Sequence, residues 1–225
     1  MTRPRMPVAI WIAALAAMLY AMLWVGYCRH WAWLHSMDWS LLNAARDVAV
    51  KHPLWLRFWQ DVSYVLGPVP MSVLGIAMTV LALVMRNPRA ALVLVFACGP
   101  LNEFVTAAAK ALVDRPRPAT MLVAAASSSF PSGHALEAMA ALLAVLCFFF
   151  PMMTRLIRRI AVAVVAVSLL MVGASRVALN VHYPSDVLAG WSLGYLYLLV
   201  CLLVFRPPAR RPDGAERTVE AAAVR

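Results

Sequence analysis

Two histidines, three arginines, a lysine and two aspartates stand in three short polar clusters that interrupt an otherwise apolar chain. The first cluster is Lys110-Ala-Leu-Val-Asp-Arg-Pro-Arg117-Pro118, the second is Phe130-Pro-Ser-Gly-His134, and the third runs from Ser175-Arg176 through His182 to Asp186. His182 and Asp186 are four residues apart. If the intervening turn is helical, the carboxylate reaches one imidazole nitrogen, fixes the tautomer and leaves the other nitrogen free to attack. The same aspartate also reads as an acid favoured in the first turn of a helix.

Lys110, Arg117 and Arg176 place three cations near one another with few acids to neutralise them. The arginine fork matches phosphate oxygens bidentately and lysine adds a compact charge, so the set suits a phosphate. Taken singly, each also reads as a side chain snorkelling to a membrane surface. Ser132 and Gly133 precede an apolar run, where unpaired N–H groups and the helix dipole would form an anion site. An ordinary N-cap with a surface histidine at His134 is the alternative. Only two histidines fall in the clusters, and the surrounding cations would repel a metal ion, so the expected reaction needs neither metal nor cofactor.

The elements that must position these groups are membrane helices. With 64% hydrophobic and 13% charged residues over 225 positions, runs of about twenty apolar residues recur. They predict an all-α, polytopic bundle of about six transmembrane helices: Pro7 to Tyr27, Val62 to Met85, Ala90 to Val113, Ala135 to Met153, Ile160 to Ala178 and Val187 to Phe205. The first run lacks a small-residue cleavage site and reads as a retained helix. Residues 28–61, rich in tryptophan and mixed in charge, suit either a helix in the headgroup region or an ordered loop packed on the mouth of the bundle. Residues 1–205 are expected to form one domain and 206–225 a disordered cytoplasmic tail. Cys28, Cys98, Cys147 and Cys201 lack metal or redox spacing and read as inert core thiols.

The net charge of +10 is spread over the ends of apolar segments, which argues for membrane orientation and against nucleic acid. Twelve basic residues, among them Arg86, Arg89, Arg155, Arg158 and Arg159, fall on one side and eight on the other. By the positive-inside rule the termini are cytoplasmic in a plasma (inner) membrane. An even number of spans then opens all three clusters on the outer side. Within the apolar runs, Glu103 and Glu137 are candidate site or bundle-pairing acids. Nothing in the sequence signals an oligomeric state.

The arrangement K-x6-RP at Lys110 to Pro118, PSGH at Pro131 to His134 and SR-x5-H-x3-D at Ser175 to Asp186 resembles the type 2 phosphatidic acid phosphatase (PAP2) family over roughly Val62 to Phe205. That resemblance implies a lipid phosphatase in which His182 becomes a phosphohistidine, Asp186 orients it and His134 protonates the leaving group. It also implies that Lys110, Arg117, Ser132, Gly133 and Arg176 hold the phosphoryl oxygens. Together with the outward site it points to a polyprenyl diphosphate. The alternatives are phosphatidic acid or phosphatidylglycerol phosphate, a lipid phosphotransferase, or a non-catalytic phospholipid-binding or transport protein.

Overall fold

Five of the helices open on proline, at Pro53, Pro68, Pro88, Pro100 and Pro184. There its fixed φ suits a helix start and its missing N–H costs nothing. The computed structural model describes residues 6–205, so the expected cytoplasmic tail at 206–225 lies outside the described residues. These form α1 (Met6–Cys28), α2 (Ala32–Lys51), α3 (Pro53–Val65), α4 (Pro68–Val84), α5 (Pro88–Cys98), α6 (Pro100–Val113), α7 (Gly133–Phe149), α8 (Arg155–Ala178) and α9 (Pro184–Val204). A 3-10 turn at Phe150–Met152 follows α7, and there is no strand among the described residues.

Six stretches are long and apolar enough to cross a membrane: Val8–Cys28, Pro53–Val84, Pro88–Val113, Gly133–Met152, Arg155–Ala178 and Pro184–Val204. Two of them are not single helices. The second breaks at Leu66 and Gly67, where a side chain at Gly67 would meet the Ser63 carbonyl at 2.5 Å. The third breaks at Gly99 before Pro100. The expected spans Val62 to Met85 and Ala90 to Val113 therefore each hide a Gly-Pro break.

α7 and α9 form the central pair. α7 buries Ala135, Ala138, Ala140, Ala141 and Ala144, and α9 presents Gly190 and Gly194 one turn apart. A methyl group at Gly194 would lie 2.4 Å from the Leu136 carbonyl oxygen, and one at Gly190 would lie 2.5 Å from that of Ser132. Small residues at this spacing let two membrane helices approach backbone to backbone. Gly194→Leu is expected to destabilise the fold by ~1–3 kcal/mol through overpacking. Thermal unfolding in detergent should show a lower apparent Tm than wild type, whereas Val200→Ala, on the exposed face of α9, should not.

α2 and α3 lie across one end of this bundle. Trp59 of α3 packs with Ala178, Leu179 and Val181, and Leu34 of α2 packs with Phe130 and Ala189. Residues 28–61 are thus mostly helical and seated on the bundle mouth, which combines the two expected arrangements. The large apolar side chains left outside, such as Trp11, Leu15, Val164 and Leu170, face where lipid would cover them. Of the four free cysteines only Cys201 is buried, so the expectation of core thiols does not hold for the exposed Cys28 and Cys147.

Candidate active site

The connection between α6 and α7 cannot continue as helix. Asp114 turns into the left-handed region (φ 43) with its N–H on the Lys110 carbonyl, and Pro116 and Pro118 follow. The connection then folds back onto the ends of α8 and α9. Leu122 N–H donates to the Leu179 carbonyl at 3.1 Å, and Ser132 N–H to the Asp186 carbonyl at 3.0 Å. All three polar clusters consequently meet at the end of the bundle covered by α2 and α3.

His182 follows Asn180, another left-handed residue (φ 55), and is 2% exposed. Its Nδ1 lies 2.8 Å from the Ser129 carbonyl oxygen. A carbonyl can only accept, so Nδ1 carries the proton and Nε2 the lone pair, which faces the Arg117 donor. Arg117 Nη1 is 3.2 Å from Nε2 and donates to the Val181 carbonyl at 2.8 Å. Burial lowers the imidazole pKa to about 4, against the raising influence of Asp186 and with the help of the Arg117 and Lys110 charges.

His182 therefore stays neutral at physiological pH. Because its folded pKa lies below the unfolded 6.5, the unfolded chain binds the extra proton first, and acidification from 6.5 toward 4 works against folding. An NMR titration of histidine-labelled protein, with the resonance assigned by its loss in His182→Asn, should give a midpoint near 4. A midpoint near 6.5 would contradict the buried arrangement.

Asp186 is fully buried, with Oδ2 3.6 Å from His182 Nδ1. Its nearer partners are the Ser129 hydroxyl at 2.6 Å, the Tyr183 N–H at 2.9 Å and Arg115 Nη1 at 2.8 Å. The expected contact across the four-residue spacing exists, but the Ser129 carbonyl is the closer acceptor for the imidazole proton.

The three expected phosphate cations are held by neutral oxygens. Lys110 Nζ donates to the Ser128 carbonyl and Arg176 to the Ser63 hydroxyl. Arg117 donates to the Ser127 carbonyl at 2.6 Å and to the Ser127 hydroxyl at 3.2 Å. Among the described residues none of the three has a carboxylate within ion-pairing distance. Burial lowers the Arg117 pKa, opposed by Asp186. Ser132, the N-cap of α7, is fully buried, and its Oγ makes no hydrogen bond among the described residues. Gly133 opens α7. His134 and Arg176 line one cavity of ≈ 310 Å³ with Ser63, Gly67 and Pro68.

Glu103 and Glu137 line a separate space of ≈ 10 Å³ between α4, α6 and α7, not the cavity of His134. Among the described residues no three His, Cys, Asp or Glu side chains gather as a metal site requires.

Sequence reasoning gave no site role to Arg115, Asp38, Ser129 or Ser185. Arg115 is 6% exposed and bridges Asp186 to Asp38, its Nη2 lying 2.9 Å from Asp38 Oδ2. Its guanidinium stacks 3.8 Å from the Tyr183 ring centroid and 4.8 Å from that of Tyr27. Desolvation opposes its charge, but Asp186 and Asp38 outweigh it and raise the Arg115 pKa. The readable signal was an arginine two residues before Arg117, inside a cluster already singled out.

A family model described as the PAP2 superfamily matches residues 90–209, more than half of the chain and all eight of the expected site residues. The chain belongs to the PAP2 superfamily. Asp38 and Ser63 lie outside the matched residues of this PAP2 chain. It is 38% identical over 92 residues to phosphatidylglycerophosphatase B of Bacillus subtilis (strain 168). That alignment covers 39% of this chain and 44% of the relative, so the chain spans less than half the length of that protein. A crystal structure of a transmembrane PAP2 type phosphatidylglycerolphosphate phosphatase from Bacillus subtilis superposes with a TM-score of 0.71 at 23% identity, over 90% of this chain and 98% of the other. That likeness bears on the fold: the PAP2 chain is an all-α, multi-pass membrane protein.

Proposed function

We propose that this PAP2 protein is a lipid phosphatase working through a phosphohistidine. The observation that carries this reading is the neutral His182, its Nε2 unprotonated beside Arg117, within a set of cations that no carboxylate neutralises. Nε2 attacks the terminal phosphorus, the bond to the lipid oxygen breaks, and His134 gives its proton to that oxygen. Water then attacks the phosphohistidine, the P–N bond breaks, and inorganic phosphate leaves as His134 takes up a proton.

Lys110, Arg117, Arg176, the Ser132 hydroxyl and the Gly133 N–H hold the phosphoryl oxygens. They meet the charge as it develops, and being fixed in advance they cost little reorganisation. The Ser129 carbonyl keeps His182 in its tautomer, and Asp186 steadies that acceptor through the Ser129 hydroxyl. In this reading the protein's own cations do the work a metal would do elsewhere, so the reaction is metal-independent. Residues 1–205 act as one domain.

The described basic residues Arg86, Arg89, Arg155, Arg158 and Arg159 lie at the bundle end opposite His182, which supports cytoplasmic termini and a site on the outer face. Of the substrate classes considered, the relative's name favours phosphatidylglycerol phosphate. Polyprenyl diphosphate stands second, supported by the outward site. Purified protein with chelator present should release phosphate from a panel of phosphatidylglycerol phosphate, phosphatidic acid and polyprenyl diphosphate, fastest from the first. Fastest release from polyprenyl diphosphate would reverse the order, and no release without added metal would overturn the metal-free mechanism.

A further inference from the structure

α2 touches the turn after α8 and the first turn of α9, one contact on either side of His182. Asp38 and Leu42 are four residues apart and both fully buried. The Leu42 carbonyl accepts from Asn180 Nδ2 at 3.1 Å. The Asp38 carboxylate accepts the Ser185 N–H at 3.0 Å and the Ser185 hydroxyl at 2.6 Å. Asn180 and Ser185 flank His182. Residues four apart on a helix stand about 6 Å apart on the same side, so one turn of α2 splints the loop that carries the nucleophile.

A second connection runs through charge. Asp38 shares Arg115 with Asp186, at 2.9 and 2.8 Å. The Arg115 carbonyl accepts the Ser129 N–H at 2.7 Å, and the Ser129 carbonyl in turn accepts from His182 Nδ1 at 2.8 Å. The acceptor that aims the imidazole is thus held by Arg115 through the backbone and by Asp186 through the Ser129 hydroxyl. Asp38 holds Arg115 in this place by accepting from Nη2, because a buried guanidinium bound only through Nη1 would be left with unpaired N–H donors.

We propose that Asp38 is a positioning residue for phosphoryl transfer: acting through Arg115 and Ser185, it holds the His182 loop in its attacking geometry, although it lies in a helix outside the three polar clusters. The inference rests on the phosphatase reading. A role confined to stability would leave the folded fraction turning over at the normal rate, whereas misaiming the nucleophile lowers kcat and leaves substrate binding alone.

The test is steady-state kinetics on the full chain in detergent micelles carrying phosphatidylglycerol phosphate, using wild type, Asp38→Asn, Asp38→Ala, Arg115→Ala, the Asp38→Ala/Arg115→Ala double variant and Leu41→Ser. Asp38→Ala should lose ~100-fold in kcat with KM within about threefold, the scale set by roughly 1 Å of misplacement. Asp38→Asn keeps the side-chain shape and covers the case in which the alanine variant fails to fold; it should lose at least ~10-fold in kcat. The double variant should lose less than the product of the two single losses, because the two residues share one link while Asp38 keeps a second through Ser185. Leu41→Ser, on the exposed face of α2, should match wild type.

Asp38 variants with kcat within about threefold of an active wild type, a loss confined to KM, or additive effects in the double variant would overturn the inference alone. A wild type releasing no phosphate from any lipid in the panel would overturn the phosphatase reading, and the inference with it.

Discussion

His182→Ala is expected to lose phosphate release by about 10⁴-fold or more, the scale seen when a covalent nucleophile is removed and only binding and electrostatics remain. The residue is 2% exposed and fills a site defined by the Ser129 carbonyl and Arg117, so His182→Asn is the companion variant that better preserves packing. Lipid binding should persist in both. The decisive measurement is radiolabel transfer: wild type quenched in mid-turnover should carry acid-labile, base-stable phosphate on histidine, and the variants should carry none. Normal release by either variant would sink the phosphohistidine mechanism and leave the phosphate-holding cations to be explained by binding alone.

Arg117→Ala is the second large effect, with kcat expected to fall ~10²–10³-fold, as when one preorganised donor to a transition-state oxyanion is deleted. The guanidinium spans the Ser127 carbonyl, the Val181 carbonyl and His182 Nε2, so it faces both the nucleophile and the place where the phosphoryl would lie. Arg117→Lys should recover little of the rate, since a point charge cannot reproduce a planar fork that meets several acceptors at once. Single-turnover kinetics with the enzyme in excess over the lipid would separate chemistry from binding. Near-complete rescue by lysine would show that Arg117 acts as charge alone.

The parts of this architecture legible in the sequence were those written locally. Six apolar runs announced six spans, and Lys110, Arg117, His134, Arg176, His182 and Asp186 stood out in polar clusters at their ends and between them, with Lys110 and Arg176 inside runs where a charge is costly to keep. The breaks at Gly67-Pro68 and Gly99-Pro100 were also written locally, as Gly-Pro pairs that commonly punctuate a helix. An averaged hydropathy runs straight through them, since glycine and proline are not polar enough to interrupt it.

Asp38 was hidden for another reason. Its partners Arg115 and Ser185 lie 77 and 147 residues away, and in a mixed-charge, tryptophan-rich segment an aspartate looks like part of a solvated face. Only the tertiary fold distinguishes it from Asp47, which lies on the same helix with no such role.

The break at Gly67 sets a vertical scale. α4, from Pro68 to Val84, has 17 residues, a rise of about 25 Å, against a hydrocarbon layer of about 30 Å. Its far end is followed by Arg86 and Arg89, which belong at one water boundary. Its near end stands beside His134, whose Nε2 would be 3.6 Å from a side chain at Gly67. Pro53–Val84 is one apolar stretch, and α3 carries it past the break, so the turn at Gly67 falls about 5 Å short of the second water boundary. His134, level with that turn, therefore stands within a few ångströms of that boundary, at a depth set by the length of α4.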